Sequence, residues 1–492
     1  VAIFIIKSIV NINKGKITMA KLNKPRNLEP VYTHQGAKAA HITPELQLRR
    51  SVMSCLLWEK EFYEDGETIA ERIARLIPEV DPLKVSIIAI EARTKMKLRH
   101  VPLLIVREMA RLNTYKGLVK DTLSAIIQRP DEMGEFLAIY WKDDNTQPLS
   151  AQVKKGLAKA FTKFSEYQLA KYNRKAKVTL KDVMRLVHPI PKTKEQSDIW
   201  ANLMSGNLSP PDTWEVALSK DDGIPKVIKW ERLLKENKLG GLALIRNLRN
   251  MVQEGVNKHL IITALENMNS DMILPFRFLN AAAAAPKLEE YIEKALLKML
   301  SNKSKLLGKT ILIVDVSGSM YNRSISAQSE TDRAKVACSM ALITREICED
   351  IVIYATAGND NTRIHATTTV PNRRGFALSD SIYSQCTPLG GGGIFLKQVM
   401  DYVYEEEKTA DRIIVITDEQ DCDNRVGGEP SKANAFGRNN YLINIASNQN
   451  GIGYGKWVHV DGWSEAVIDY IMEYENQIIY SKLRLPQNIQ QQ

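Results

Sequence analysis

The stretch Ile311-Leu312-Ile313-Val314-Asp315-Val316-Ser317-Gly318-Ser319-Met320 constrains this chain more than any other. Its apolar, mostly β-branched run reads as a strand buried on both faces, as in a parallel sheet. The strand leads straight into Asp-x-Ser-x-Ser. Ligand-binding groups of open α/β sheets collect just outside the carboxyl ends of strands. A carboxylate and two hydroxyls at alternate positions there are hard oxygen donors suited to Mg²⁺ or Mn²⁺. The plainer alternative is an Asx or Ser turn that caps the next helix. A second buried strand, 412–417, ends at Asp418. Asp315 and Asp418, with Ser317 and Ser319, are therefore expected to face one cation.

Two periods divide the chain. From about residue 46 to 301, apolar positions recur at three and four, giving one amphipathic helix after another with short breaks. The clearest are 46–62, 101–112, 149–164, 180–187, 239–252 and 287–300. Short helices in series predict a solenoid or ring of helical repeats, whose curved surface binds an extended partner. Residues 206–225, rich in Ser, Pro, Asp and Gly, read as a loop, and the alanines from Ala281 to Ala285 with Pro286 read as the opening of the last helix. Residues 301–309 form the boundary. Beyond it strands and helices alternate through 330–347, 351–356, 362–370, 376–385, 394–407, 441–446, 457–460 and 464–474. That pattern predicts a doubly wound α/β domain of roughly 180 residues. A chain of 492 residues is long enough for both domains.

Charge separates the same two parts. Residues 1–300 hold 48 Lys and Arg against 34 Asp and Glu, whereas the remainder holds 19 against 23. Residues 151–200 alone carry 12 basic and 4 acidic side chains, a concentration expected of a surface that meets a polyanion. Within it, Lys155, Lys159 and Lys163 follow one another at helical spacing, with Lys154 beside them. Like charges so placed destabilise a helix unless phosphates neutralise them, the alternative being a solvated lysine face. Lys171-Tyr172-Asn173-Arg174-Lys175-Ala176-Lys177 sets an aromatic among four cations, which can grip phosphates and stack on a base. His188 ends the next helix, where a capping role competes with a ligand contact.

Other signals are weaker. Cys55, Cys338, Cys348, Cys386 and Cys422 are odd in number and lack CxxC spacing, which fits a reducing cytoplasm and no disulfide framework. No apolar run is long enough to span a membrane. Residues 1–18 lack an initiator Met, and Met19 is the expected start, with 1–24 a disordered extension. Gly451-Ile-Gly-Tyr-Gly-Lys456 lacks the spacer of a phosphate loop. Asp421-Cys-Asp423-Asn-Arg425 begins like a calcium loop, but Arg425 replaces an oxygen ligand. Glu419, Asp421 and Asp423 are expected to be solvated. No catalytic constellation emerges, and the chain is read as not an enzyme.

The pair Asp315-x-Ser317-x-Ser319 and Ile-Thr-Asp418 resembles a von Willebrand factor A domain with its metal-ion-dependent adhesion site. The helical part resembles the TROVE domain of the Ro autoantigen and bacterial Rsr family. The passages that carry this are Leu48-Arg-Arg-Ser-Val-Met-Ser-Cys-Leu-Leu57, the run from Leu169-Ala-Lys-Tyr to Met184-Arg-Leu-Val-His-Pro189, Leu244-Ile-Arg-Asn-Leu248 and Leu274-Pro-Phe-Arg-Phe278. The resemblance implies a multidomain α plus α/β fold, a ring of α-helical, HEAT-like repeats closed by a doubly wound A domain. Residues 25–305 would be the TROVE domain, 306–485 the A domain and 486–492 a tail. It further implies binding of noncoding RNA: single-stranded 3′ ends of misfolded RNA in the basic ring cavity and Y-like RNA on the outer surface. Lys171, Lys175 and His188 match the family's RNA-contacting positions. Lys154 and Lys155 extend that face, and Arg174 and Lys177 are placed by proximity. The implied setting is RNA quality control or maturation, including that of rRNA precursors, by a cytoplasmic monomer working with polynucleotide phosphorylase or another exoribonuclease. The metal would be Mg²⁺, yet Gly390-Gly-Gly-Gly-Ile394 lacks the Thr that supplies a further hydroxyl in the family. The competing function is a metal-dependent adhesion module or a chelatase-type subunit.

Overall fold

In the computed structural model the period changes from helical to alternating at residue 306. The described residues are 32, 43–54, 66–96, 98–142, 148–270, 273, 276–301, 303–321, 332–423, 435–446, 457–461, 467, 471–472 and 475. The extension at 1–24, the motif at 451–456, Cys55 and most of the closing helix at 464–474 lie outside them.

The helical array comprises α1 (Pro44–Ser54), α2 (Gly66–Leu76), α3 (Pro82–Thr94), α4 (Val101–Arg111), α5 (Val119–Ile126), α6 (Asp131–Tyr140), α7 (Ala151–Phe161), α8 (Glu166–Tyr172), α9 (Leu180–Val187) and α10 (Lys194–Ser205). It continues through α11 (Trp214–Ser219), α12 (Lys226–Lys235), α13 (Gly241–Gln253), α14 (Lys258–Asn267), α15 (Phe276–Ala284) and α16 (Glu289–Ser301). Side-chain caps fix many starts. Asp81 accepts from the amides of Leu83 and Lys84, and Ser165 and Thr179 form capping boxes with Gln168 and Asp182. Two expectations are corrected. The loop at 206–225 contains α11, whose Trp214 stacks on Trp230 with ring centres 6.2 Å apart. Ala281 to Ala284 close α15 instead of opening the last helix, because Pro286 cannot continue α15 and starts a short 3₁₀ turn.

The α/β domain contains β1 (Leu306–Asp315), α17 (Arg333–Ile347), β2 (Cys348–Asn359), β3 (Ile364–Val370), α18 (Gly375–Tyr383), α19 (Leu396–Glu407), β4 (Arg412–Thr417), β5 (Asn439–Asn444) and β6 (Val458–Asp461). The strand order is β3-β2-β1-β4-β5-β6, parallel throughout except for β3, which pairs antiparallel with β2. The order reverses between β1 and β4, so their carboxyl ends flank the crevice where such sheets bind ligands.

Burial shows how the two parts are joined. One core runs from Leu48 to Leu203 through α1–α10. A second begins at Trp230, takes in α12–α16 and continues into one face of the sheet with α17. The other sheet face packs on α19. The last repeats thus share a core with the α/β domain, and Glu293 of α16 accepts from the amide of Phe376 at 2.7 Å. At the opposite end, α1 contacts β6. Both ends of the array meet the same domain, so the repeats form a ring that the α/β domain closes. Among the described residues, no helix is long and apolar enough to cross a membrane.

Candidate nucleic-acid interface and metal centre

The basic stretch folds into α7, α8, α9 and the start of α10. Lys154 and Lys155 are exposed on α7, and Arg174, Lys175 and Lys177 are exposed on the loop after α8. Lys171, in the last turn of α8, is half-buried. His188 is the C-cap of α9, in the left-handed region at φ 46°, with its amide donating to Met184 O at 3.0 Å and its ring exposed. None of these seven side chains forms an ion pair among the described residues. Lys159 and Lys163 correct the expectation of a phosphate-neutralised row. Lys159 Nζ lies 2.8 Å from Asp121 Oδ1, and Lys163 donates to the carbonyl oxygens of Ser124 and Ile127. These two are satisfied by the protein because α7 packs against α5, which brings a carboxylate and a helix C-terminus within reach.

The loop is held from behind by α6. A Cβ on Gly134 would lie 2.3 Å from the carbonyl oxygen of Val178. Only glycine permits that approach. We expect Gly134→Ala to cost about 1–3 kcal/mol in chemical denaturation, the range for forced overpacking, and to shift the loop.

At the sheet crevice, Asp315 ends β1 and Asp418 follows β4, both fully buried. Ser317 N donates to Asp315 Oδ1 at 2.9 Å, Thr417 Oγ1 donates to Asp315 Oδ2 at 2.6 Å, and the hydroxyls of Ser317 and Ser319 lie 3.2 Å apart. Burial, and then the neighbouring Asp418 charge, push the Asp315 carboxyl up to about 7. Buried Arg333 approaches Asp418 Oδ2 to 3.7 Å. The glycine loop lies against this turn: Gly318 N donates to Gly392 O at 3.1 Å. A Cβ on Gly392 would lie 2.5 Å from Gly358 O, so the loop passes this close to β2 only with glycine at that position. Two juxtaposed buried carboxylates with two hydroxyls fit a small hard cation by charge and donor type. No cluster of three or more His, Cys, Asp or Glu arranged for a metal occurs among the described residues.

The other acids after β4 are not solvated, contrary to expectation. Asp421 Oδ1 accepts from Leu396 N at 2.7 Å and Asp423 Oδ2 from Gln398 N at 3.1 Å, so both cap the start of α19. Glu419 is fully buried at φ 60° and is clasped between two parts of the molecule. One oxygen pairs with Arg50 of α1, itself fully buried, and the other lies 2.5 Å from His459 Nδ1 on β6. This clasp left no mark in the sequence, because Arg50 and Glu419 are 369 residues apart.

The TROVE-domain family model matches residues 46–206 and 203–349. The chain belongs to the TROVE-domain family. The two matched segments follow the two cores, and the second runs into the α/β domain. Membership supports an RNA-binding role in general. The chain is 23% identical over 357 residues to telomerase protein component 1 of Rattus norvegicus, covering 54% of this chain and 13% of that protein. The Mus musculus protein of the same name is 33% identical over 123 residues, 23% of this chain and 4% of that protein. The chain therefore spans a small fraction of these relatives. The crystal structure of the Deinococcus radiodurans RO (RSR) protein superposes with a TM-score of 0.57 at 16% identity, covering 88% of this chain and all of that one. This TROVE chain shares that fold.

Proposed function

We propose that this TROVE protein binds noncoding RNA without catalysing a reaction on it, taking single-stranded 3′ ends of misfolded or structured RNA in its basic ring cavity and Y-like RNA on its outer surface. The supporting observation is that Lys154, Lys155, Lys171, Arg174, Lys175, Lys177 and His188 all reach solvent and lack carboxylate partners among the described residues. A polyanion would neutralise them, and affinity would then fall steeply with salt. The reading places the chain in RNA quality control or maturation as a cytoplasmic monomer. The four described cysteines, all buried free thiols, are compatible with a reducing compartment. Titrating a hairpin RNA with a single-stranded 3′ tail, against the same hairpin with blunt ends, tests the reading. Tighter binding of the tailed RNA at every salt concentration is expected, and equal affinity overturns the 3′-end preference.

A second role is favoured by the crevice between β1 and β4. Asp315, Ser317, Ser319 and Asp418 would hold Mg²⁺ or a similar divalent cation, which supplies an open coordination position for an acidic side chain of a protein partner. An exoribonuclease such as polynucleotide phosphorylase is the kind of partner this suits. Saturating Mg²⁺ or Mn²⁺ at a hundred times its dissociation constant should stabilise the protein by about 2.7 kcal/mol. Asp315→Ala should abolish that gain in thermal denaturation and leave RNA affinity unchanged. An equal metal response in the variant sinks the assignment.

A further inference from the structure

Arg129 lies outside the basic stretch, in the turn before α6, yet its guanidinium carbon sits 4.4 Å from the centre of the Tyr172 ring. Two forked bonds hold it there: Nε to Asp131 Oδ1 at 3.0 Å and Nη2 to Asp131 Oδ2 at 2.6 Å. Its main-chain amide is fixed as well, donating at 3.0 Å to Glu132, which is fully buried. Asp131 is in turn shared with Arg99 at 2.8 Å. Two further cations lie over the ring at longer range, Lys171 Nζ at 5.8 Å and Arg174 Cζ at 5.7 Å from its centre. Tyr172 nevertheless remains partly exposed.

One cation on an aromatic face is a common stabilising contact. Three around one ring, only one of them tied to a carboxylate among the described residues, repel one another and gain little from sharing it. A nucleotide satisfies both halves of the arrangement: its phosphate draws off the two more distant cations, and its base is a flat apolar surface for the ring. An acidic peptide offers carboxylates but no flat face. We propose that Tyr172, positioned by Arg129 and Asp131, is a base-stacking platform for single-stranded RNA, with Lys171 and Arg174 as its phosphate clamps. The assignment rests on the RNA reading above and adds a residue, Arg129, that no basic run marks.

The test uses the full chain and a hairpin RNA whose single-stranded 3′ adenosine tail carries 2-aminopurine. Wild type and Tyr172→Trp, which keeps an aromatic ring, should quench the probe on binding. Tyr172→Leu should lose the quench and weaken binding about 5- to 150-fold, the range for removing one stacked base. Its salt dependence should not change, because no charge is removed. Arg129→Lys keeps the charge but cannot fork onto Asp131, so it should keep the salt slope and lose most of the quench. Unaltered quench and affinity in Tyr172→Leu, or a loss in Tyr172→Trp as large as in Tyr172→Leu, overturns the platform. Competition by polyglutamate as effective as by RNA overturns it too. If Tyr172→Leu is silent while Lys171→Ala/Lys175→Ala still weakens binding, the platform alone falls. If both are silent, the RNA reading falls with it.

Discussion

Arg50→Met should lower the stability of the protein by about 3–5 kcal/mol in chemical denaturation, the cost of breaking a buried ion pair by removing one partner. Both Arg50 and Glu419 are fully buried, so solvent cannot screen or rehydrate the remaining charge. Glu419→Gln should be damaging as well, because it removes the carboxylate that faces both the Arg50 guanidinium and His459 Nδ1. The double variant Arg50→Met/Glu419→Gln should lose less than the sum of the singles, since neither charge then remains buried. The loss should be local as well as global. The clasp joins the first helix of the array to the far strand of the α/β domain, whereas the other end of the array is secured by a shared apolar core. Hydrogen exchange should therefore show α1 and β6 opening well before α15, α16 and α17. Additive singles, or uniform protection across both ends, would contradict a clasp that closes the ring.

Replacing Lys171, Lys175 and His188 together by alanine should weaken binding to tailed RNA by an order of magnitude or more at low salt and leave the fold intact. Lys175 and His188 are exposed and Lys171 is half-buried, none of them in a core, and substitutions away from packing usually change stability little. Each phosphate contact to a single strand contributes about 0.7 to the slope of log affinity against log salt, so removing two lysines should flatten it by about 1.4. Lys159→Ala and Lys163→Ala make the contrasting pair. Asp121 and the end of α5 already occupy these lysines, so neither substitution should alter the slope. Unchanged affinity in the triple variant, measured at matched salt, would falsify the RNA reading. A slope change in Lys159→Ala of the same size would instead restore the continuous lysine row.

Much of this was legible in the residues because the information is local. The β-branched run ending at Asp315 announces a buried parallel strand, and the three-four spacing from residue 46 onward announces helices. Segment α3 is harder to read, since Leu83 and Ile87 keep apolar groups on its exposed side as well. The alanines from Ala281 misled because alanine favours a helix equally at its start and its end, and only Pro286 fixes which it is. Charge counting found the basic stretch but could not tell which lysines are spoken for.

By itself the sequence determined the two-part architecture, the crevice that brings Asp315 beside Asp418, the family passages and the cations of residues 151–194. Period, charge and motif are properties of neighbouring residues, so chain order preserves them. Only the tertiary structure decided that Lys159 and Lys163 serve the protein, that Glu419 is a buried clasp, and that Arg129 stands over Tyr172. Each of these depends on groups more than 35 residues apart meeting in the fold, and for Glu419 the meeting place is fully out of water. There a charge must find a partner, and that requirement cannot be read along the chain.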